Sequence, residues 1–140
     1  MKKTVFIIKL PPAENQCKIL HTFYFNQEKK IKSRLLKKIN GYKIQDTRKN
    51  RYNNKTFITY DELLEKLILS KLKCFYCNLN VLLLFTEKRD YRQWTLDRID
   101  NQRDHSDDNT EIACLECNLK RRTIDSNKFL FTKRMKIIKK

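Results

Sequence analysis

Glycine is nearly missing from this chain: Gly41 is the only one in 140 residues, alongside two prolines and one tryptophan. So little glycine, with a charged fraction of 34%, excludes a Gly/Ser linker or a low-complexity tract. Long apolar runs are missing as well, and none approaches the roughly 18 residues that span a bilayer. The opening Met1-Lys2-Lys3, followed by Thr4-Val5-Phe6-Ile7-Ile8, has the outline of a signal peptide. Its apolar centre is short and Lys9 interrupts it, so a β-strand from Thr4 to Leu10, stopped at Pro11-Pro12, is expected instead. No internal repeat is apparent. These absences lead to the expectation of a soluble, intracellular protein, cytoplasmic or nuclear, without a membrane partner; a viral or mobile-element origin stays open.

Acidic residues are scarce at both ends and concentrated in the middle. Residues 1–56 hold 15 Lys/Arg against 3 Asp/Glu, residues 57–118 hold 8 against 12, and residues 119–140 hold 9 against 1, for a net charge of +16. Cationic flanks neutralise backbone phosphates by releasing counterions, while central carboxylates suit a divalent cation. Solubility alone is the plainer account of excess lysine. An excess this large in a small protein points to nucleic acid.

Residues 1–58 are expected to form a basic N-terminal segment and residues 59–140 the main domain. Cys17 to Phe25 has no clean period and is left untyped. From Glu28 to Ile39, apolar Ile31, Leu35, Leu36 and Ile39 recur at helical spacing among lysines and arginines, and Asn40-Gly41 predicts the helix end. Tyr42 to Lys55 is polar and cationic with interleaved tyrosines, which suits either a nucleic-acid surface or a solvated linker. Thr59-Tyr60-Asp61-Glu62 fits a capping box, predicting a helix from about Tyr60 to Leu72 that delivers the chain to Cys74. His21 carries no evident role.

Four of the five cysteines form two pairs, Cys74-Phe-Tyr-Cys77 and Cys114-Leu-Glu-Cys117, separated by 36 residues. Each C-x-x-C turn can aim two thiolates at one metal at about 2.3 Å, and two pairs complete a tetrahedral structural zinc site. Disulfides fit poorly without a secretion signal. A closed four-thiolate site has no open position, so this metal pins the fold and does no chemistry. Cys17 is left over and reads as a small packed hydrophobe.

Between and just beyond the pairs, Trp94 to Asp97 alternates as a strand, Asp100 to Asn109 is rich in turn formers, and Thr110 to Cys114 can form an antiparallel partner. A helix from Asn118 onward completes a ββα unit. The string Leu96-Asp97-Arg98-Ile99-Asp100-Asn101, then His105, Asn109, Cys114, Cys117-Asn118 and Arg121, resembles the HNH endonuclease family with a ββα-metal (His-Me) finger bracketed by zinc knuckles. The resemblance spans Cys74 to about Thr123 and nothing before Thr59. It implies an α+β fold, a small zinc-stapled ββα-metal domain with flanking basic helices. It also implies hydrolysis of phosphodiester bonds in DNA, with RNA left open, using Mg²⁺ or Mn²⁺ besides structural Zn²⁺. Carried over to this chain, Asp97 and Asn118 hold the catalytic cation, and both are hard oxygen donors suited to Mg²⁺. Asn109 braces the loop within the catalytic motif.

One position departs from the family's pattern. Its general base is a histidine directly after the metal-binding aspartate, and this chain has Arg98 there, which stays protonated and cannot accept a proton. Either His105 in the adjacent loop is the base, or Asp100 or a hydroxide on the cation serves, or the site only binds. The plainer reading of His105 is a loop histidine that hydrogen-bonds its turn. Arg98 can clamp the scissile phosphate or simply pair with a loop aspartate. Asp97 and Asp100, taken singly, could cap turns or pair with Arg92 or Arg103.

Lys120, Arg121, Arg122 and Arg103 are the expected nucleic-acid contacts. Asp125-Ser126 can cap a last helix whose Phe129, Leu130, Phe131, Met135, Ile137 and Ile138 pack inward while its lysines and arginines face phosphate; a membrane-surface helix is the rival. The leading expectation is thus an HNH-type endonuclease. A catalytically inactive zinc-stapled nucleic-acid-binding module is the alternative, and a zinc-stapled protein-interaction domain would leave the charge to coincidence. Target sequence, nicking against double-strand cleavage, and oligomeric state are left open.

Overall fold

The computed structural model describes residues 10–139. Of the strand expected at Thr4–Leu10, all but Leu10 lies outside the described residues. Among those described, the chain forms five helices and a two-stranded antiparallel sheet: α1 (Ala13–Asn26), α2 (Lys29–Arg48), α3 (Tyr60–Ser70), β1 (Trp94–Arg98), β2 (Thr110–Cys114), α4 (Leu115–Arg121) and α5 (Ser126–Lys139). This is a small mixed α+β fold. No helix among the described residues is long and apolar enough to cross a membrane.

The untyped stretch around Cys17 is α1. Its buried face is Gln16, Leu20 and Phe23, spaced four and three apart as a helix requires. A glutamine in the first of those places hides the period. The Gln16 side chain donates to Leu84 O at 3.0 Å and accepts from Leu84 N at 2.8 Å, so its amide pairs like a strand with the central loop.

The next helix overruns its expected stop. Asn40-Gly41 lies inside α2, which continues to Arg48 and buries Tyr42 and Asp46. Local stop signals lose here because tertiary contacts of those two side chains outweigh the ~1 kcal/mol helix penalty of one glycine. The first half of the Tyr42–Lys55 stretch is therefore helix, and two of its residues, Tyr42 and Asp46, are buried.

For α3 the capping box is complete: Thr59 Oγ1 accepts from Glu62 N at 3.1 Å, and Glu62 Oε1 accepts from Thr59 N at 2.9 Å. Leu63, Leu64 and Leu67 are buried. The helix ends at Ser70 rather than Leu72, because Lys71 and Leu72 both take left-handed backbone angles (φ 55 and 54) that turn the chain into the first knuckle.

Strand, loop, strand and helix follow in order over residues 94–121. Trp94 pairs with Cys114, Leu96 with Ile112 and Arg98 with Thr110. The helix after β2 begins at Leu115, inside the second knuckle, and not at Asn118. Cys114 is its N-cap, with Sγ accepting from Cys117 N at 3.3 Å.

The last helix packs on the first knuckle. Phe129 is buried edge-on to Tyr76, at 5.0 Å between ring centroids, and Arg134 donates to Phe75 O at 3.0 Å. Phe131 and Met135, expected inside, are exposed, since only one face of α5 meets the protein.

Leu20, Phe23, Leu35 and Tyr42 share one hydrophobic cluster with Leu63, Leu67, Trp94, Leu96 and Ile112. The division expected at residue 58 thus falls within a single core.

Candidate functional site

Two centres stand side by side at the sheet. In the first, one sulfur from each of Cys74, Cys77, Cys114 and Cys117 lies within 4.8 Å of all the others, and Cys77 Sγ is 4.0 Å from Cys114 Sγ. Four sulfurs held about 2.3 Å from one zinc would stand about 3.8 Å apart, so the cluster fits a structural metal such as zinc. All four are free of disulfides. Backbone N–H groups of Tyr76 and Cys77 point at Cys74 Sγ, and Cys117 N points at Cys114 Sγ. The Arg92 guanidinium lies 3.9 Å from Cys77 Sγ, where it offsets thiolate charge. Hydrogen bonds shared among the four sulfurs push the Cys74 and Cys77 thiols down and the Cys114 and Cys117 thiols up. Cys17 is remote from this cluster and packs partly buried against the hydrophobic core.

Beside this cluster a pocket of roughly 330 Å³ is lined by Asp97, Arg98, His105 and Asn118, together with Tyr42 and Arg122. Those first four were singled out from the sequence, and the fold brings them together. Thr95 and Asp97 share one face of β1, and Asn118 Nδ2 donates to Thr95 Oγ1 at 3.1 Å, which places Asn118 beside Asp97. Asp97 is buried. Its Oδ2 accepts from Arg121 Nη1 at 2.6 Å and from the Tyr76 hydroxyl. Burial raises its pKa, and the Tyr76 and Arg121 contacts counter that shift. Asp97 Oδ1 and Asn118 Oδ1 have no hydrogen-bond partner among the described residues. They are two hard oxygen donors from residues that line one pocket.

His105 is held by a residue that sequence reasoning missed. Asp46, fully buried on α2, accepts from His105 Nδ1 at 2.9 Å and from the His105 backbone N at 2.8 Å. Tyr42, one turn earlier, stacks on the imidazole at 4.5 Å and accepts from Leu96 N through its hydroxyl. Burial pushes that tyrosine up to about 12. With Nδ1 engaged by Asp46, Nε2 is left without a partner among the described residues. Burial lowers the His105 pKa from its ordinary value and outweighs the opposing pull of Asp46. One sequence signal pointed to Asp46: it is one of three acids among fifteen basic residues in the first 56.

Compared with family models, with curated proteins and with solved structures, the chain matches none. The site stands on its own geometry.

The remaining expected site residues divide. Asn109 is buried away from the pocket and knits the loop: its Oδ1 accepts from Asp100 N, and its Nδ2 donates to Asp100 O and Asp104 O, each at 2.9–3.0 Å. Asp100 caps its own turn by accepting from Gln102 N. Arg98 donates into the loop at Asn101 O and Arg103 O while still lining the pocket. Arg121 requires a correction. Expected to meet nucleic acid, it is 2% exposed, with its guanidinium spent on Asp97, Arg98 O, Ile99 O and Ile124 O. A buried carboxylate needs a charged partner, and Arg121 supplies it. Lys120 is exposed and pairs with Glu116, and Arg103 pairs with Asp108. Arg122 is exposed at the pocket rim.

Proposed function

We propose that this protein is a metal-dependent endonuclease of the HNH kind, hydrolysing phosphodiester bonds in DNA on a zinc-stapled ββα scaffold. The observation that carries the reading is the convergence of Asp97, Asn118 and the Asp46-held His105 on one pocket. Asp97 Oδ1 and Asn118 Oδ1 would hold one Mg²⁺ or Mn²⁺, which when bound stabilises charge on the phosphate and the leaving oxygen. Arg98 and Arg122 attract the phosphate. His105 Nε2 takes a proton from the attacking water, and Asp46 fixes the tautomer that leaves Nε2 free to do so. The water oxygen bonds to phosphorus as the P–O3′ bond breaks, and the departing 3′ oxygen takes its proton from solvent. His105 thus fills the role that Arg98 cannot.

A second reading, a zinc-stapled module that binds nucleic acid without cutting it, draws on the Arg121–Asp97 ion pair, which offsets part of the charge a cation would need. Plasmid cleavage by zinc-loaded protein with Mg²⁺ or Mn²⁺ separates the two. Wild type cuts, Asp97→Ala does not, and His105→Ala cuts roughly 10²–10⁴-fold more slowly. Folded, zinc-loaded protein that binds the plasmid and leaves it intact under both metals establishes the second reading instead.

A further inference from the structure

Next to the Asp97 pocket lies a larger cationic groove, which the catalytic reading does not use. It occupies roughly 520 Å³ between α2 and the loop leading into β1, and no acidic side chain lines it. Arg34, Lys37 and Lys88 are exposed at its edge. Lys38 lies over the Trp94 ring at 4.3 Å and the Phe85 ring at 4.8 Å. Trp94 is fully buried and forms the floor, whereas Phe85 is half-buried and offers ring surface to the groove.

Part of this arrangement serves the fold. Lys38 donates to Gln93 Oε1 and Trp94 O, and Arg34 donates to Phe85 O at 3.1 Å. The ammonium groups of Lys37 and Lys88 make no hydrogen bond or ion pair among the described residues, although Lys88 O accepts from Gln93 Nε2. Arg34, Lys37 and Lys88 put three exposed cations around one groove, and nothing acidic in its lining relieves them. Burial also lowers Lys38 to about 7, and an arriving anion would favour its charged form. Repeating phosphates answer the rim, and a planar ring answers Phe85. A single-stranded polynucleotide carries both.

The groove adjoins the candidate site, since Lys38 and Gln93 line both. A strand with one phosphodiester beside Asp97 therefore has its neighbouring nucleotide at the groove. A base stacked inside a duplex has both faces covered and cannot present one to Phe85. An unpaired base can.

We propose that this groove holds an unpaired nucleotide of a single-stranded polynucleotide, with its phosphates on Arg34, Lys37 and Lys88 and its base against Phe85. The neighbouring phosphodiester's place at Asp97 rests on the nuclease reading; the groove's own chemistry does not. DNA and RNA strands share the chemistry it recognises.

Fluorescence anisotropy with the full zinc-loaded chain, without Mg²⁺ or Mn²⁺, tests this apart from cleavage. The probes are labelled oligothymidylate, oligouridylate of equal length, and a duplex of that length. Wild type binds at least one single strand more tightly than the duplex, and the oligothymidylate and oligouridylate arms tell DNA from RNA. Replacing Arg34, Lys37 and Lys88 together by Gln weakens that binding by about tenfold and lowers the salt slope by about 2, at ~0.7 per phosphate contact. A matched control, Lys55→Gln with Lys73→Gln and Lys128→Gln, removes equal charge from exposed sites elsewhere and costs far less. Phe85→Leu, which keeps apolar packing, weakens binding roughly fivefold or more through lost stacking. Tighter binding to the duplex, no binding to either strand, or equal losses in the groove and control variants overturns the proposal. Because no cleavage is read, an inert plasmid assay leaves the groove standing, and a cutting enzyme with an indifferent groove leaves the nuclease reading intact.

Discussion

At His105 the two ring nitrogens have separate surroundings. Nδ1 belongs to Asp46, and Nε2 is the nitrogen left for chemistry. A base must be neutral to act, and burial sets the His105 pKa below its ordinary value of 6.5. On the proposed nuclease reading, cleavage should be present above that lowered pKa and lost as pH falls through it, giving a kcat/KM profile with one acidic inflection below 6.5. Asp46→Asn removes a carboxylate that raises the pKa, so the inflection moves lower still. The plateau drops by ~10² or more because the tautomer is no longer fixed. An inflection above 6.5, or an Asp46→Asn plateau equal to wild type, would remove His105 from the role of base. The same sign governs stability: the contribution of neutral His105 is full above 6.5 and is lost as pH falls below it. Arg121 shows the opposite outcome for a residue read from the sequence. Its charge suggested phosphate, yet the buried Asp97 carboxylate claims it.

Among the elements, α2 shows how a local stop signal can be overruled. Gly41 sits in helical backbone with open space where a Cβ would stand, and no glycine has positive φ. Gly41→Ala should stabilise the protein by about 0.5–1 kcal/mol, read as a higher midpoint in urea unfolding. A lower midpoint would mean that the helix is broken at this point. The knuckles are the other decisive elements. The four sulfurs join the Cys74–Cys77 turn to the start of α4. Chelation of zinc should lower the thermal midpoint sharply and zinc should restore it, since metal binding of this kind is coupled to folding. A midpoint indifferent to chelator would leave the sulfurs as a packed thiol cluster.

Across the whole molecule, the N-terminal helices are part of the site. They supply Leu20, Phe23, Leu35 and Tyr42 to the core and Asp46 to His105. A fragment of residues 59–140 loses these and should unfold without a cooperative thermal transition even when zinc-loaded, while the full chain unfolds cooperatively. A cooperative transition in the fragment would support the division at residue 58. The charge pattern belongs to this scale as well, because α2 carries its cations along one side of the groove while burying Asp46 and Tyr42 elsewhere on its surface.

The sequence by itself determined the parts whose cause is local. Spacing of C-x-x-C set the metal cluster, Thr59 and Glu62 set the start of α3, and alternation from Trp94 with turn formers after Asp97 set the two strands. Each depends on residues within a few positions of one another, or on a cysteine pattern that few structures satisfy. Only the tertiary structure decided the course of α2, the glutamine-masked face of α1, the inward turn of Arg121, and the Asp46–His105 pair. Those depend on contacts between residues far apart in the chain, 59 positions in the last case, where burial and charge pairing outweigh local propensity.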